Sequence, residues 1–463
     1  MKPFGGNTAG GLAVVCVAQF VVVLDVTIVA TALPAIGADL RAPAAQLSWV
    51  LTAYTVVLAG LLILGGRAAD LAGARRMFVA GLAFFVLASA ACAVAWAPAV
   101  LIAARVAQGA GAALLSPAAL AALHDLVPPP ARERALGWWT AAAAGGGASG
   151  WVLGGALTEL AGWRWVFAVN VPIGLAALVP AGRLLPPGVR RTARTDLDLA
   201  GAVLVTAAIA AGVLGLSRIG EPAGWGALAL AMVLLGGFLA QERRATRPLV
   251  PRGLLRRPGV LGGNLTAIAL NGSSTPAMIT VVLYVQETLR LSPARGALLF
   301  PAFNAAVIAG SLAGPRVTGR LGTRGALLAG FAAVAAGAAG LVALPADGLP
   351  PAILMPAFAA MGAGLGISTV ASTSAGTAGV PGHERGVAAG LLNSASQLGA
   401  ALGLAVAVPL VATAGGMAGY RLGYATAVLI AVAGAACALA TARRGAATDA
   451  PITPPLPVGS RSR

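Results

Sequence analysis

Apolar runs long enough to cross a bilayer recur from one end of the chain to the other, and no other feature constrains its fold so tightly. About 20 helical residues span a hydrocarbon core. Fourteen such runs are predicted, at 12–34, 46–66, 77–96, 99–123, 135–157, 165–182, 199–216, 225–240, 260–285, 293–314, 325–344, 351–375, 386–412 and 421–441. Lipid offers no partner to free backbone groups, so runs of this length are read as helices. Of 463 residues, 58% are hydrophobic and 10% charged, against about 25% charged in ordinary soluble domains. The excess apolar surface is expected to face lipid. The first run holds Asp25 and has a weak basic flank, so it is read as a retained helix and not a cleaved signal peptide.

A net charge of +17 would suggest nucleic acid in a soluble protein, but here the arginines lie between apolar runs. With the N-terminus in the cytoplasm, 31 basic residues divide unequally. Only Arg41, Arg164, Arg218, Arg290, Arg295 and Arg421 fall outside, and only Arg105 falls within a span. The positive-inside rule predicts this asymmetry, and an odd number of spans would scramble it. Both termini are therefore expected in the cytoplasm of a bacterial cell, with a multi-pass protein in its inner membrane and no nucleic-acid partner.

Lys2 is the only lysine, so no Walker A nucleotide site is encoded. Any pumping would then have to draw on an ion gradient or a separate chain. Cys16, Cys92 and Cys437 fall far apart inside apolar runs, and His124 and His383 are isolated, so neither disulfides nor a metal site are expected. The same scarcity argues against a membrane-embedded enzyme, and no long polar segment suits a sensor domain.

An internal repeat divides the chain. The segment from Gly66 through Asp70, Gly73, Arg75 and Arg76 is echoed 248 residues later by Gly314 to Arg324. Arg132-Glu133-Arg134 is likewise echoed by His383-Glu384-Arg385. Repeats of this kind build transporters around a site between two halves. The expected fold is all-α and membrane-integral. It comprises a cytoplasmic N-terminus at 1–11, a six-helix bundle at 12–183, a linker with two extra helices at 184–257, a pseudo-symmetric six-helix bundle at 258–442 and a disordered tail at 443–463.

Several motifs, taken together, resemble the major facilitator superfamily, specifically its fourteen-helix drug:proton antiporters. The run from Leu24 to Pro34 resembles the helix 1 signature, with Ala30 where Asn is usual. Ser48-Trp49-Val50 with Ala53-Tyr54 resembles helix 2, and Arg105, Gln108, Gly109 and Gly111 match helix 4. The Gly66–Arg76 segment matches the cytoplasmic loop motif, with Leu71 replacing a basic residue. Trp163-Arg164-Trp165, Asn170, Pro172 and Gly174 resemble the corner between helices 5 and 6. Gly146, Gly150, Gly154 and Gly155 fit the helix 5 antiporter motif, in which Trp151 takes the place of the usual proline. The resemblance implies the superfamily fold, alternating access and proton-driven export of drug-like or secondary-metabolite molecules by a monomer, with no cofactor. A natural-metabolite exporter or facilitator without strict proton coupling is the alternative.

Asp25 is the one acid placed firmly within a span and Arg105 the one base. A charge at mid-bilayer costs about 2.5–3.5 kcal/mol, so Asp25 should face a cavity or a partner. At 1.5 Å per residue, Asp25 and Arg105 lie roughly 13 and 10 Å below the outer ends of their helices, at similar depth. Burial favours the neutral acid and Arg105 the carboxylate, a balance suited to proton coupling; a purely structural ion pair is the competing reading. Asp70 lies where the thirteenth span begins, where a helix N-terminus stabilises a carboxylate by about 0.3–1 kcal/mol. By resemblance, Gly66, Asp70, Gly73, Arg75 and Arg76 form a cytoplasmic gate. Thr27, Trp49, Tyr54, Gln108, Asn264, Asn271, Asn393 and Gln397 are the candidate cavity residues. With a single acid in the spans, a neutral or monocationic substrate fits best.

Overall fold

A computed structural model describes residues 6–128, 131–187, 198–245, 248–250, 253–346, 351–380 and 385–448. These residues are almost wholly helical, as the apolar runs predict. The N-terminal half contains α1 (Gly6–Leu40), α2 (Ala44–Ala72), α3 (Ala74–Ala93), α4 (Pro98–Leu126), α5 (Arg132–Ala161), the single turn α6 (Trp165–Ala168) and α7 (Asn170–Leu184). Two further helices follow, α8 (Leu199–Ser217) and α9 (Pro222–Arg244). The C-terminal half contains α10 (Pro258–Leu283), the short α11 (Pro293–Ala297), α12 (Phe300–Val342), α13 (Pro351–Thr377), α14 (Arg385–Ala414) and α15 (Gly416–Thr448).

Among the described residues, twelve helical stretches are long and apolar enough to cross a membrane, two fewer than the fourteen runs counted from the sequence. Two features account for the difference. Helix α5 is 30 residues long but rich in glycine, which makes its middle less apolar. The stretch Pro293–Val342 counts once although it holds 50 residues, about 75 Å of helix against a core of about 30 Å. It is broken inside α12 at Gly322, whose backbone (φ 69°, ψ 168°) lies in a region that side chains exclude.

The repeat reappears in this geometry. Gly73, at φ 94°, separates α2 from α3, and Gly322 makes the matching turn in the second half. The first motif is therefore mostly helix: α2 runs on to Ala72 and turns on Gly73 alone, whereas the sequence reading ended that span at 66. The last helix is also longer than expected. It continues to Thr448, so the segment read as a disordered tail from 443 begins as helix; 449–463 lie outside the described residues.

The two halves share one hydrophobic core at the face where α1 ends. Ile28, Leu33, Trp151 and Phe167 belong to it, together with Tyr284, Phe300, Leu404 and Tyr424 from the second half. Toward the face where α1 begins, the halves have separate cores. There a Cβ on Gly137 of α5 would meet nothing within 4 Å, and Trp138 of α5 and Leu312 of α12 are exposed. Helices α2 and α14 pack together, and α8 lies over both. Val56, Val213, Ala401 and Ala405 form the small core of that contact.

Candidate functional site

One buried polar network occupies the N-terminal half. Arg105 and Gln108 lie three residues apart on α4, on one helix face. Arg105 Nη1 donates to Asp25 Oδ2 at 2.5 Å and to Gln108 Oε1 at 2.6 Å, while its Nε donates to the carbonyl of Val50 at 2.9 Å. Gln108 Nε2 donates to Asp25 Oδ1 and to Ser89 Oγ, each at 2.8 Å. Asn170 Nδ2 donates to Asp25 Oδ1 at 2.8 Å. The guanidinium lies over the Tyr54 ring, 4.5 Å from its centroid, and Phe167 flanks it at 5.7 Å. Cys92 closes the far side against Gln108 Oε1.

Asp25 and Arg105 are 0% and 1% exposed. The only other ion pair among the described residues, Arg164 with Asp39, is about half exposed. Three N–H donors thus converge on one carboxyl group that water does not reach in this state. An ionised carboxylate only accepts hydrogen bonds, and this arrangement satisfies it. Removing one partner of such a pair costs about 3–5 kcal/mol, because the other charge stays buried. Asn170 Oδ1 is buried and has no partner, which leaves one open acceptor beside the acid.

The corner after α5 places Asn170. Trp163 Nε1 and Arg164 Nη1 both donate to Asp39 Oδ2, at 2.9 and 2.8 Å, pinning the turn to the end of α1. Arg164 also donates to the carbonyl of Ala95 beyond α3. The short α6 then delivers Phe167 to the guanidinium and Asn170, first residue of α7, to Asp25. Sequence reasoning gave Asn170 no role in the site. Its signal was an amide three residues beyond an aromatic, just past a Trp-Arg-Trp corner. Ser89 and Cys92 were missed as well, and Cys92 was read only as a buried apolar residue.

The structure separates the other expected residues. Tyr54 and Gln108 belong to the network. Trp49 does not line it; its ring packs where α2 meets α8 and α14. Thr27 donates to Leu24 and abuts α5 at Gly150. Asn264 and Asn271 bond the carbonyls of Val260 and Ala267 on their own helix, Asn264 buried and Asn271 half-buried. On α14, Asn393 is exposed and Gln397 half-buried.

The glycines of α5 serve close packing. Gly146, Gly150 and Gly154 face α1, where a Cβ on Gly154 would lie 2.5 Å from the carbonyl oxygen of Ile28. Gly155 faces the other half, and its Cβ would lie 2.5 Å from that of Ala297. Beside them, Trp151 stacks on Phe300 with centroids 4.1 Å apart and planes 5° from parallel.

Of the gate residues, Arg75 bonds within its own half, to the carbonyls of Gly182 (3.2 Å) and Leu185 (3.5 Å). Arg76 lines a shallow cleft beside it. Gly66 lies within α2, near Pro117. The Asp70 side chain and Glu384 lie outside the described residues. Arg67 donates to the carbonyl of Pro248, tying the end of α2 to the segment after α9.

The sequence matches the Major Facilitator Superfamily over residues 15–404. It is 39% identical over 402 residues to the cephamycin export protein CmcT of Amycolatopsis lactamdurans, covering 83% of this chain and 81% of that one. It is 37% identical to the puromycin resistance protein pur8 of Streptomyces alboniger, covering 84% and 78%. Among solved structures, the POT family transporter PepTSo superposes with a TM-score of 0.70 at 14% identity, covering 96% of this chain and 99% of that one. The xylose transporter XylE of E. coli gives 0.64 at 12% identity, covering 92% and 97%; likeness at this identity concerns the fold.

Proposed function

Since the chain belongs to the Major Facilitator Superfamily, we propose that it is a proton-coupled antiporter that expels antibiotic-like or secondary-metabolite molecules from a bacterial cell. It is a multi-pass membrane transporter of the exporter type. The proposal adds the coupling ion, the substrate class and the orientation. It is supported chiefly by the secluded Asp25–Arg105 pair, a protonatable group held in a dry site with its charge compensated.

In this reading the chain crosses the membrane fourteen times as a monomer, with both termini in the cytoplasm. The break at Gly322 and the length of α5 support that count, and the arginine distribution supports the orientation. The state described here is then closed to the outside. Asp25 is ionised and paired in it. When the halves rock and the outer face opens, water reaches the carboxyl group and a proton binds. The neutral acid releases Arg105, and an amide flip of Asn170 turns its open Oδ1 toward the new O–H. Return to the present state expels the proton inward as cargo binds between the halves. One charge moved through 100 mV is worth about 2.3 kcal/mol, enough to bias such a cycle. The Gly66–Arg76 segment, with Asp70, acts as the cytoplasmic gate.

The experiment is export of a panel of fluorescent and antibiotic compounds from everted vesicles, with and without a pH gradient, by the parent protein and Asp25→Asn. Gradient-dependent export by the parent and none by the variant is expected. Export that ignores the gradient, or survives in the variant, would remove Asp25 from coupling and favour a metabolite exporter driven otherwise.

A further inference from the structure

Beyond α10 the chain makes one π-helical turn, Tyr284–Thr288, with Leu289 N–H donating to the carbonyl of Tyr284 at 3.2 Å. Single π-turns of this sort recur at functional sites because the extra residue re-aims its neighbours. Here it aims two side chains at the junction of the halves. Gln286 Nε2 crosses to the carbonyl of Thr31 on α1, at 3.0 Å. Glu287, itself exposed, borders a half-open chamber of about 180 Å³.

The chamber draws its walls from both halves. Leu33 and Leu47 come from the first; Leu283, Val408, Val411 and Tyr420 come from the second. A water's share of liquid volume is about 30 Å³, so the space suits a small alkylammonium head or about six waters. Among the described residues, Glu287 has a single hydrogen-bond partner, the Tyr420 hydroxyl, which donates to Oε2 at 3.1 Å. Oε1 has none, and Arg290, three residues on, makes no ion pair with it. The Tyr284 ring stands edge-on to Tyr420, with centroids 5.8 Å apart.

A carboxylate with a free oxygen, an aromatic ring and aliphatic walls together match an organic cation. The ammonium gains a charge-assisted bond and contact with the ring, and its carbon substituents meet the leucines. An anion would meet the negative charge of Glu287, which stands exposed at the rim. Because the walls belong to different halves, rocking must widen or empty the chamber.

We propose that Glu287 and Tyr420 form a release-side subsite for the ammonium group of monocationic substrates, the last station on the export route. The subsite rests on the exporter reading above and lies apart from the Asp25 network. It adds recognition of charged cargo to a transporter whose buried acid is committed to Arg105.

The test uses the full-length protein and two fluorescent probes, the quaternary ammonium dye TMA-DPH and the uncharged dye Nile red. Glu287→Gln is expected to slow TMA-DPH export at least fivefold and to change Nile red export less than twofold, with Glu287→Asp restoring most of the difference. Purified Glu287→Gln should also bind TMA-DPH at least fivefold more weakly than the parent, with Nile red binding unchanged. Equal effects on the two dyes would make Glu287 merely structural, and parental TMA-DPH binding in the variant would overturn the subsite. If the parent exports neither dye, the exporter reading is decided by the compound panel above, and the binding comparison alone decides the subsite.

Discussion

The indole of Trp151, on α5, lies flat against the ring of Phe300 at the start of α12, so an aromatic stack joins the two halves beside a run of glycines. The helix 5 motif that this segment resembles carries proline at this position. Proline would remove a helical hydrogen bond; tryptophan keeps the helix whole and adds a contact across the junction.

A double-mutant cycle measures that contact. Trp151→Ala and Phe300→Ala should couple by about 0.5–1.5 kcal/mol in thermal or chemical unfolding of the detergent-solubilised protein. Spin-label distances across the α1-end face should broaden in Trp151→Ala. Strictly additive losses would mean that the stack contributes no more than burial.

Arg105→Ala should destabilise the fold by about 3–5 kcal/mol, because Asp25 then stays buried without its cation. The double variant Asp25→Asn/Arg105→Gln should recover much of that stability, since no buried charge remains, yet stay inactive with a pH gradient. Melting curves alongside vesicle export separate the two effects. Recovery of export in the double variant would disprove the coupling role.

Asn170→Leu removes one of the three donors on Asp25 and the open acceptor beside it. A loss of about 1.5–3 kcal/mol is expected from the missing hydrogen bond to a charged group, with Asp25 Oδ1 still held by Gln108. The pH at half-maximal export should also move. Asn170→Asp, which places a second acid in the network, should move it further, and unchanged pH profiles in both variants would deny Asn170 a part in proton exchange.

Gly322→Ala tests the break in α12. Its backbone conformation is nearly confined to glycine, so the variant should lose about 1–3 kcal/mol of stability. Single cysteines at the exposed positions Arg320 and Arg324 should show, by labelling from either side of sealed vesicles, that this turn is solvent-facing. Protection from both sides would argue that the 50-residue stretch crosses the membrane once.

The pairing of Asp25 with Arg105 was legible before any coordinates. Counting residues from the helix ends set the two at one depth, and the absence of other charges within the spans left each a single partner. Asn170 was not, because its place depends on a corner held by Asp39, Trp163 and Arg164, a tertiary contact that no local pattern encodes. The surroundings of Trp49 were not legible for the complementary reason: it packs where α2 meets α8 and α14, and α8 comes from the inserted pair, whose packing the repeat does not specify. Glu287 read as an ordinary acid at a helix end, and only the π-turn turns it to the junction. The fourteen spans read from the sequence differ from the twelve stretches among the described residues at α5, where glycine lowers hydropathy, and at Pro293–Val342, which is one apolar stretch.

The pair α8 and α9 breaks the symmetry that the repeat sets up. Helix α8 leans on both α2 and α14, and α9, most of its large side chains turned outward, packs on α8. One flank of the junction therefore wears a cover, while the flank between α5 and α12 is bare at its α1-start end. Any rocking of the halves must drag or slide beneath that cover on one side and proceed unhindered on the other, so the two faces that this protein turns to its lipids are mechanically unequal.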